Sequence, residues 1–91
     1  MFAGEGVYVW KDNRRYSGGW HNGLMEGFGV YVWSSGFIKK YEGEFKQGVK
    51  EGKGILCLAD GRQYKGVFKQ NKLQGEVQEI MPSGRTRLGK P

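Results

Sequence analysis

The chain has few of the residues that carry chemistry. It contains one histidine, His21, and one cysteine, Cys57. A lone thiol forms no intrachain disulfide, which favours a reducing compartment. One His with one Cys is too few for a tetrahedral metal site. His21 falls on the polar side of a predicted strand, beside a turn, as a surface residue. Cys57 alternates with apolar neighbours, as a small buried hydrophobe does rather than a nucleophile. Two prolines and no Gly-x-y period exclude collagen. No apolar run approaches the ~20 residues of a membrane helix, and no charged-then-apolar leader opens the chain. Glu42 and Glu44 share one strand face, without the second carboxylate across a cleft that glycoside hydrolysis uses. The Gly-x-Gly pairs lack a third glycine and precede strands rather than helices, which excludes a nucleotide loop. No catalytic residue, metal or cofactor is expected, and the chain reads as non-enzymatic.

Glycine and aromatics are abundant instead. Seventeen glycines in 91 residues far exceed the usual share of about 7%, and they recur in register. Tyr16-x-Gly18-x-Trp20-x-x-Gly23-x-x-x-Gly27-x-Gly29, then Gly36, is one copy. Tyr41-x-Gly43-x-Phe45-x-x-Gly48-x-x-x-Gly52-x-Gly54, then Gly61, is the next. Tyr64-x-Gly66-x-Phe68-x-x-Asn71-x-x-x-Gly75-x-Val77, then Gly84, is a third with two glycines replaced. Residues 1–15 fit the back half of a preceding copy, with Gly4-x-Gly6 and then Asn13 at the turn. The step from Tyr41 to Tyr64 is 23 residues; that from Tyr16 to Tyr41 is 25, which places a two-residue insertion around Phe37 and Ile38. Such a period predicts an elongated stack.

The pattern resembles the MORN repeat (membrane occupation and recognition nexus), with its Tyr-x-Gly-x-aromatic-x-x-Gly-x-x-x-Gly-x-Gly unit. The resemblance divides the chain into 1–15 (back half of a repeat), 16–40 and 41–63 (repeats), 64–86 (a degenerate repeat) and 87–91 (a tail, with Arg87 where the next Tyr would stand). Beginning inside one repeat and ending just past another is what a fragment of a longer protein would show, and Met1 fits a true start equally well. The family also implies fusion to kinase or methyltransferase domains in some members, none of whose catalytic parts occur here.

Each copy reads as two short strands, giving an all-β fold: an elongated single-layer antiparallel meander of stacked β-hairpins. Asn13, Ser35-Gly36, Asp60-Gly61 and Ser83-Gly84 mark turns that need positive φ. Period-two alternation puts Tyr16, Gly18 and Trp20, and their counterparts in the later copies, on one face. On the second strands, Tyr8 and Trp10, Tyr31 and Trp33, Leu56 and Leu58 form one row. Val7 and Val9, Val30 and Val32, Ile55 and Cys57 form the other. The alternating glycines leave space for a neighbouring ring to lie flat on backbone.

A single sheet cannot cover both its faces, so some aromatic surface stays exposed or meets a partner. Tyr8, Trp10, Tyr31 and Trp33 are the residues expected there; the plain alternative is that they are core. The expected function is a scaffold that holds a partner protein, as a peptide or helix in a groove, through Tyr8, Trp10, Trp20, Tyr31, Trp33, Phe45 and Phe68. Self-association through unpaired strand edges is a variant. The second reading is peripheral binding to anionic phospholipid or phosphoinositide head groups. Residues 1–45 carry five basic and five acidic side chains, whereas 46–91 carry ten and four, so the whole +6 lies in the second half. Lys65, Lys69, Lys72, Arg85, Arg87 and Lys90 would make that contact. Nucleic acid ranks last, since no known module matches. The resemblance implies a cytoplasmic protein at a membrane or the cytoskeleton.

Overall fold

The computed structural model describes residues 4–89, which form eight strands: β1 (Gly4–Val9), β2 (Arg15–His21), β3 (Leu24–Val32), β4 (Ile38–Lys46), β5 (Val49–Leu58), β6 (Gln63–Lys69), β7 (Lys72–Ile80) and β8 (Thr86–Gly89). They hydrogen-bond in chain order in one antiparallel sheet. The body measures 42 × 25 × 16 Å. This is the single-layer meander read from the repeat, and no helix occurs among the described residues.

The turns follow the glycine pattern. Along one long edge, Asn13, Gly36, Gly61 and Gly84 take φ of 73°, 98°, 94° and 94°, a region costly for most side chains. Along the other edge, Asn22–Gly23, Gln47–Gly48 and Gln70–Asn71 each have two successive positive φ values, as type I′ hairpins require. Asparagine tolerates that conformation, so Asn71 replaces a glycine without losing the turn. Trp10 N–H bonds Arg14 O, Leu58 N–H bonds Arg62 O and Met81 N–H bonds Arg85 O, each four residues on. Trp33 N–H reaches Lys39 O, six residues on. The two-residue insertion therefore sits in the β3–β4 turn, where Phe37 is exposed.

Register lines up the repeats across the sheet. One cross-strand row reads Tyr8, Tyr16, Tyr31, Tyr41, Leu56, Tyr64, Glu79, Arg87. Beside it runs an all-glycine row: Gly6, Gly18, Gly29, Gly43, Gly54, Gly66. The Tyr16 ring lies on Gly29 and the Tyr41 ring on Gly54, where a Cβ would overlap the ring. The Tyr16 hydroxyl donates to Gly19 O and the Tyr41 hydroxyl to Glu44 O, both at 3.0 Å. Those carbonyls belong to residues where the register shifts, so each tyrosine satisfies a backbone acceptor at a β-bulge. In the third copy Val77 occupies the ring slot, and Tyr64 turns its hydroxyl to Glu79 Oε2 instead, at 2.7 Å.

The core is thus rings against backbone. Tyr16 and Tyr41 are fully buried, with Phe45 and Phe68 at 5% and 3% exposure. Edge-to-face contacts run from Trp20 to Tyr16 (5.0 Å), Phe45 (5.1 Å), Tyr41 (5.1 Å) and Phe68 (5.0 Å), the geometry aromatic quadrupoles favour. Among the described residues the reverse face carries no such cluster of rings. Its rows alternate Val7, Ser17, Val30, Glu42, Ile55, Lys65 and Val9, Arg15, Val32, Lys40, Cys57, Gln63 across successive strands. In these two rows apolar residues of odd strands are separated by polar residues of even strands, while Phe28 and Val67 stand exposed and line a shallow recess with Ile55 on the same face. Lys40 and Glu42 pair there at 2.7 Å. Cys57 is buried among them, and burial raises its thiol above the ordinary value.

Candidate partner-binding face

The aromatic face bears a second line of rings towards the Asn13 and Gly36 turns. Tyr8 and Trp10 touch at 4.8 Å between centroids, Trp10 and Tyr31 at 5.4 Å, and Tyr31 and Trp33 at 4.6 Å. Tyr8 is 52% exposed, and Trp10, Trp20 and Trp33 are half-buried against the core. Trp20 anchors its indole by donating to Gly6 O at 3.1 Å. Tyr8, Trp10, Trp20, Val7 and Gly23 line a recess of about 500 Å³. A second recess, of about 210 Å³, is lined by Met25, Tyr31, Trp33, Phe45, Gly48, Lys50 and Asn71.

Tyr31, Phe45 and Phe68 sit deeper than a contact surface needs: Tyr31 is 8% exposed and belongs to the buried cluster with the two phenylalanines. Of the seven aromatic candidates, the structure brings Tyr8, Trp10, Trp20 and Trp33 to the open side of one face. The other three support them from below.

Two cations stand over these rings, Arg14, which the sequence did not single out, and Lys50, which it offered only as part of the basic excess of residues 46–91. Arg14 stacks 5.4 Å from the Trp10 centroid and donates to the Tyr31 hydroxyl at 3.0 Å. Asp12 holds it there, accepting from the Arg14 Nε at 2.7 Å and from its backbone N–H at 3.2 Å. The Arg14 guanidinium in turn keeps the Asp12 carboxyl below its ordinary value. Asp60 and Arg62 repeat this arrangement one full hairpin pair later, so Asp-x-Arg in the turn was the signal available. Lys50 is the second cation, with its Nζ 5.7 Å from the centroids of both Trp33 and Tyr41. Desolvation lowers its pKa from the ordinary lysine value.

The basic set proposed for lipid does not converge. Lys65 lies on the reverse face, in the row with Glu42 and Ile55. Lys69 and Lys72 flank the β6–β7 turn on one long edge, and Arg85 is in the β7–β8 turn on the other. Arg87 points to the aromatic face, where its Nη2 donates to Glu79 Oε1 at 2.6 Å. Lys90 lies outside the described residues. Glu79 accepts from both the Tyr64 hydroxyl and Arg87, which hold its carboxyl below the ordinary value. Arg62 completes the cluster 3.9 Å from Glu79 Oε2.

The sequence model of the MORN repeat matches residues 1–13, 16–37 and 41–61, and the chain belongs to that family. The chain is also 33% identical over 91 residues to Alsin of mouse, rat and human, an alignment covering 97% of this chain and 5% of each relative. It therefore spans about a twentieth of the length of the relatives it matches. MORN repeats generally mediate protein or membrane interactions as non-catalytic scaffolds. No helix among the described residues is long and apolar enough to cross a membrane.

Proposed function

We propose that this chain is a non-enzymatic adaptor whose aromatic face holds a segment of a partner protein, as an extended peptide or a helix. The observation that carries this reading is the continuous line Tyr8–Trp10–Tyr31–Trp33, with half-buried indoles above two recesses. Large rigid rings beside closely approaching backbone supply much contact area for little conformational entropy, which is why Trp and Tyr dominate binding hot spots. Within this reading the units run 16–40, 41–63 and 64–86, flanked by 1–15 and 87–91, and the adaptor works in the cytoplasm, at a membrane or the cytoskeleton. Self-association is a further outcome, because β1 and β8 are each paired on one side only among the described residues and such edges template strand addition.

The test is selection of a random 12-residue peptide library on the chain at ~0.15 M salt, where surface charge is screened beyond ~8 Å. Selected peptides are then titrated against Trp10→Ala and Trp33→Ala. Loss of a central indole should weaken binding by roughly 30-fold or more, the scale of a hot-spot residue at ≥ 2 kcal/mol. Affinity unchanged in both variants, or no selectable peptide, overturns the groove reading. The membrane reading rests on the +6 of residues 46–91. Co-sedimentation with phosphatidylserine vesicles that survives ~0.15 M salt and is lost in Lys65→Glu/Lys69→Glu/Lys72→Glu would favour it.

A further inference from the structure

Lys50 is out of place in its own repeat. Aligned by the repeat register, residue 50 corresponds to Met25 in the preceding copy and Leu73 in the following one. Both pack against the aromatic core. Packing at this position is therefore met by an apolar side chain, and an ammonium is not needed for it. The ammonium lies over Trp33 and Tyr41, in the 210 Å³ recess, and no carboxylate pairs with it among the described residues. Arg14, Arg62 and Arg87 on the same face each have an acidic partner, whereas Lys50 has none among the described residues.

Its backbone is fixed as well. Lys50 N–H donates to Asn71 Oδ1 at 2.9 Å, and Asn71 N–H donates to Lys50 O at 3.0 Å. Asn71 is one of the two repeat positions where glycine is replaced. Its side-chain oxygen clamps Lys50, its carboxamide N–H has no hydrogen-bond acceptor among the described residues, and the residue is among those lining the same recess. A partly desolvated ammonium, an amide donor and an indole wall make a site for one carboxylate.

We propose that Lys50, seconded by Asn71, recognises an aspartate or glutamate side chain of the partner peptide, set beside an apolar residue that seats on Trp33. This rests on the aromatic-groove reading and gives it a specificity: an acidic segment. The cation–π contacts hold the ammonium in place before binding. A carboxylate entering the recess neutralises a charge whose desolvation cost is already met in the free protein.

The experiment uses the peptides selected as above. Those that bind wild type should be enriched in Asp or Glu, and Lys50→Met, which installs the residue of the preceding repeat, should weaken them by about 10- to 100-fold, the range of a charged hydrogen bond. Changing the peptide acid to its amide should cost the same on wild type and little on Lys50→Met, while Lys50→Arg should retain part of the affinity. Peptides that lose affinity on Trp33→Ala but not on Lys50→Met overturn this inference and leave the groove standing. Peptides insensitive to both, or none selected, overturn both. Retention on phosphatidylserine vesicles that disappears in Lys50→Met, with no acidic preference among the peptides, reassigns the ammonium to a lipid phosphate and overturns the peptide proposal.

Discussion

Replacing Gly54 by alanine should be among the most damaging single changes in this chain, although it adds one methyl group. A Cβ at Gly54 would lie 2.5 Å from Tyr41 Cε1 and Cζ, far inside van der Waals contact. The ring cannot move aside: it is fully buried, bounded by Phe45 at 5.1 Å and Phe68 at 5.0 Å, and tied by its hydroxyl to Glu44 O. The backbone cannot retreat either, because Gly54 pairs with Gly43 and Gly66 on its two sides. Alanine therefore expels Tyr41. The loss resembles truncation of a large buried aromatic, about 3–5 kcal/mol, set against roughly 5–14 kcal/mol for the whole folded state of a chain this size. The molecule contains its own control, since Val77 fills the same slot in the third copy and Tyr64 there stands out of it, bonded to Glu79.

Urea denaturation followed by tryptophan fluorescence measures the cost. Gly54→Ala should fall by several kcal/mol, and Tyr41→Ala by a similar amount. The double variant should be scarcely worse than either single one, because both remove the same ring from the same slot. Gly89→Ala, with nothing within 4 Å of its added Cβ, should stay within about 0.5 kcal/mol. A Gly54→Ala cost below about 1 kcal/mol, or strict additivity with Tyr41→Ala, would refute the ring-on-glycine account of the core.

Three further outcomes follow from charge and titration. Burial pushes the Tyr16 and Tyr41 hydroxyls up to about 12; their folded values exceed the ordinary 10, so this stabilisation is whole below pH 10 and is lost as pH rises towards 12. Each accounts for roughly 3 kcal/mol, and a urea midpoint that does not decline between pH 10 and 12, with tyrosinate absorbance followed in parallel, counts against it. Glu79 is held below its ordinary value first by the Tyr64 hydroxyl and then by Arg87, so its contribution is present above the unfolded pKa and lost as pH falls through the folded one. Glu79→Gln should therefore lower the urea midpoint at pH 7, and the two proteins should converge in acid; a constant gap down to pH 2 would exclude the linkage. Lys50→Met should raise thermal stability at pH 7, because it removes a desolvated ammonium from an apolar position. The Lys50 pKa is depressed, so the gain should shrink as pH approaches the unfolded value of 10.5, and a destabilised Lys50→Met would show that the ammonium itself supports the fold.

Much of this architecture is legible from spacing because each repeated residue has one physical task. Gly27, Gly52 and Gly75 all take positive φ and survive in every copy. The slot at Gly29 and Gly54 needs only the absence of a Cβ, and can be abandoned at Val77 once the tyrosine has another acceptor. Alternation sorted the faces correctly, and the longer β3–β4 turn could be placed from the 25-residue step. Depth was not legible. Tyr31, Phe45 and Phe68 have the same period as Tyr8, Trp20 and Trp33, and only neighbouring strands decide which rings are covered. Convergence of charge was equally hidden. The lysines of residues 46–91 are close in sequence but are sent to opposite faces and edges by turns and alternation, whereas Arg14 and Lys50, 36 positions apart, reach one aromatic face.

The two ends of the tyrosine row explain where exposed rings collect. In a single sheet each ring is covered by rings from adjacent strands, so a row of rings must have poorly covered members at its ends. At the β8 end the row stops being aromatic: Tyr64, Glu79 and Arg87 follow one another, and the Glu79 cluster with Arg62 satisfies polar groups that need no apolar cover. At the β1 end the row remains aromatic, and Tyr8 is left half exposed beside Trp10 and Trp20. Among the described residues, a polar cluster therefore replaces rings towards β8, while rings stand partly exposed towards β1. The departures that make the third copy degenerate, Val77 in the ring slot and Glu79 in the tyrosine row, are the same substitutions that put a hydrogen-bonded ion cluster where the earlier copies have rings. Tyr8, Trp10, Trp33 and Lys50, the residues of the proposed groove, accordingly share the aromatic face of the first five strands.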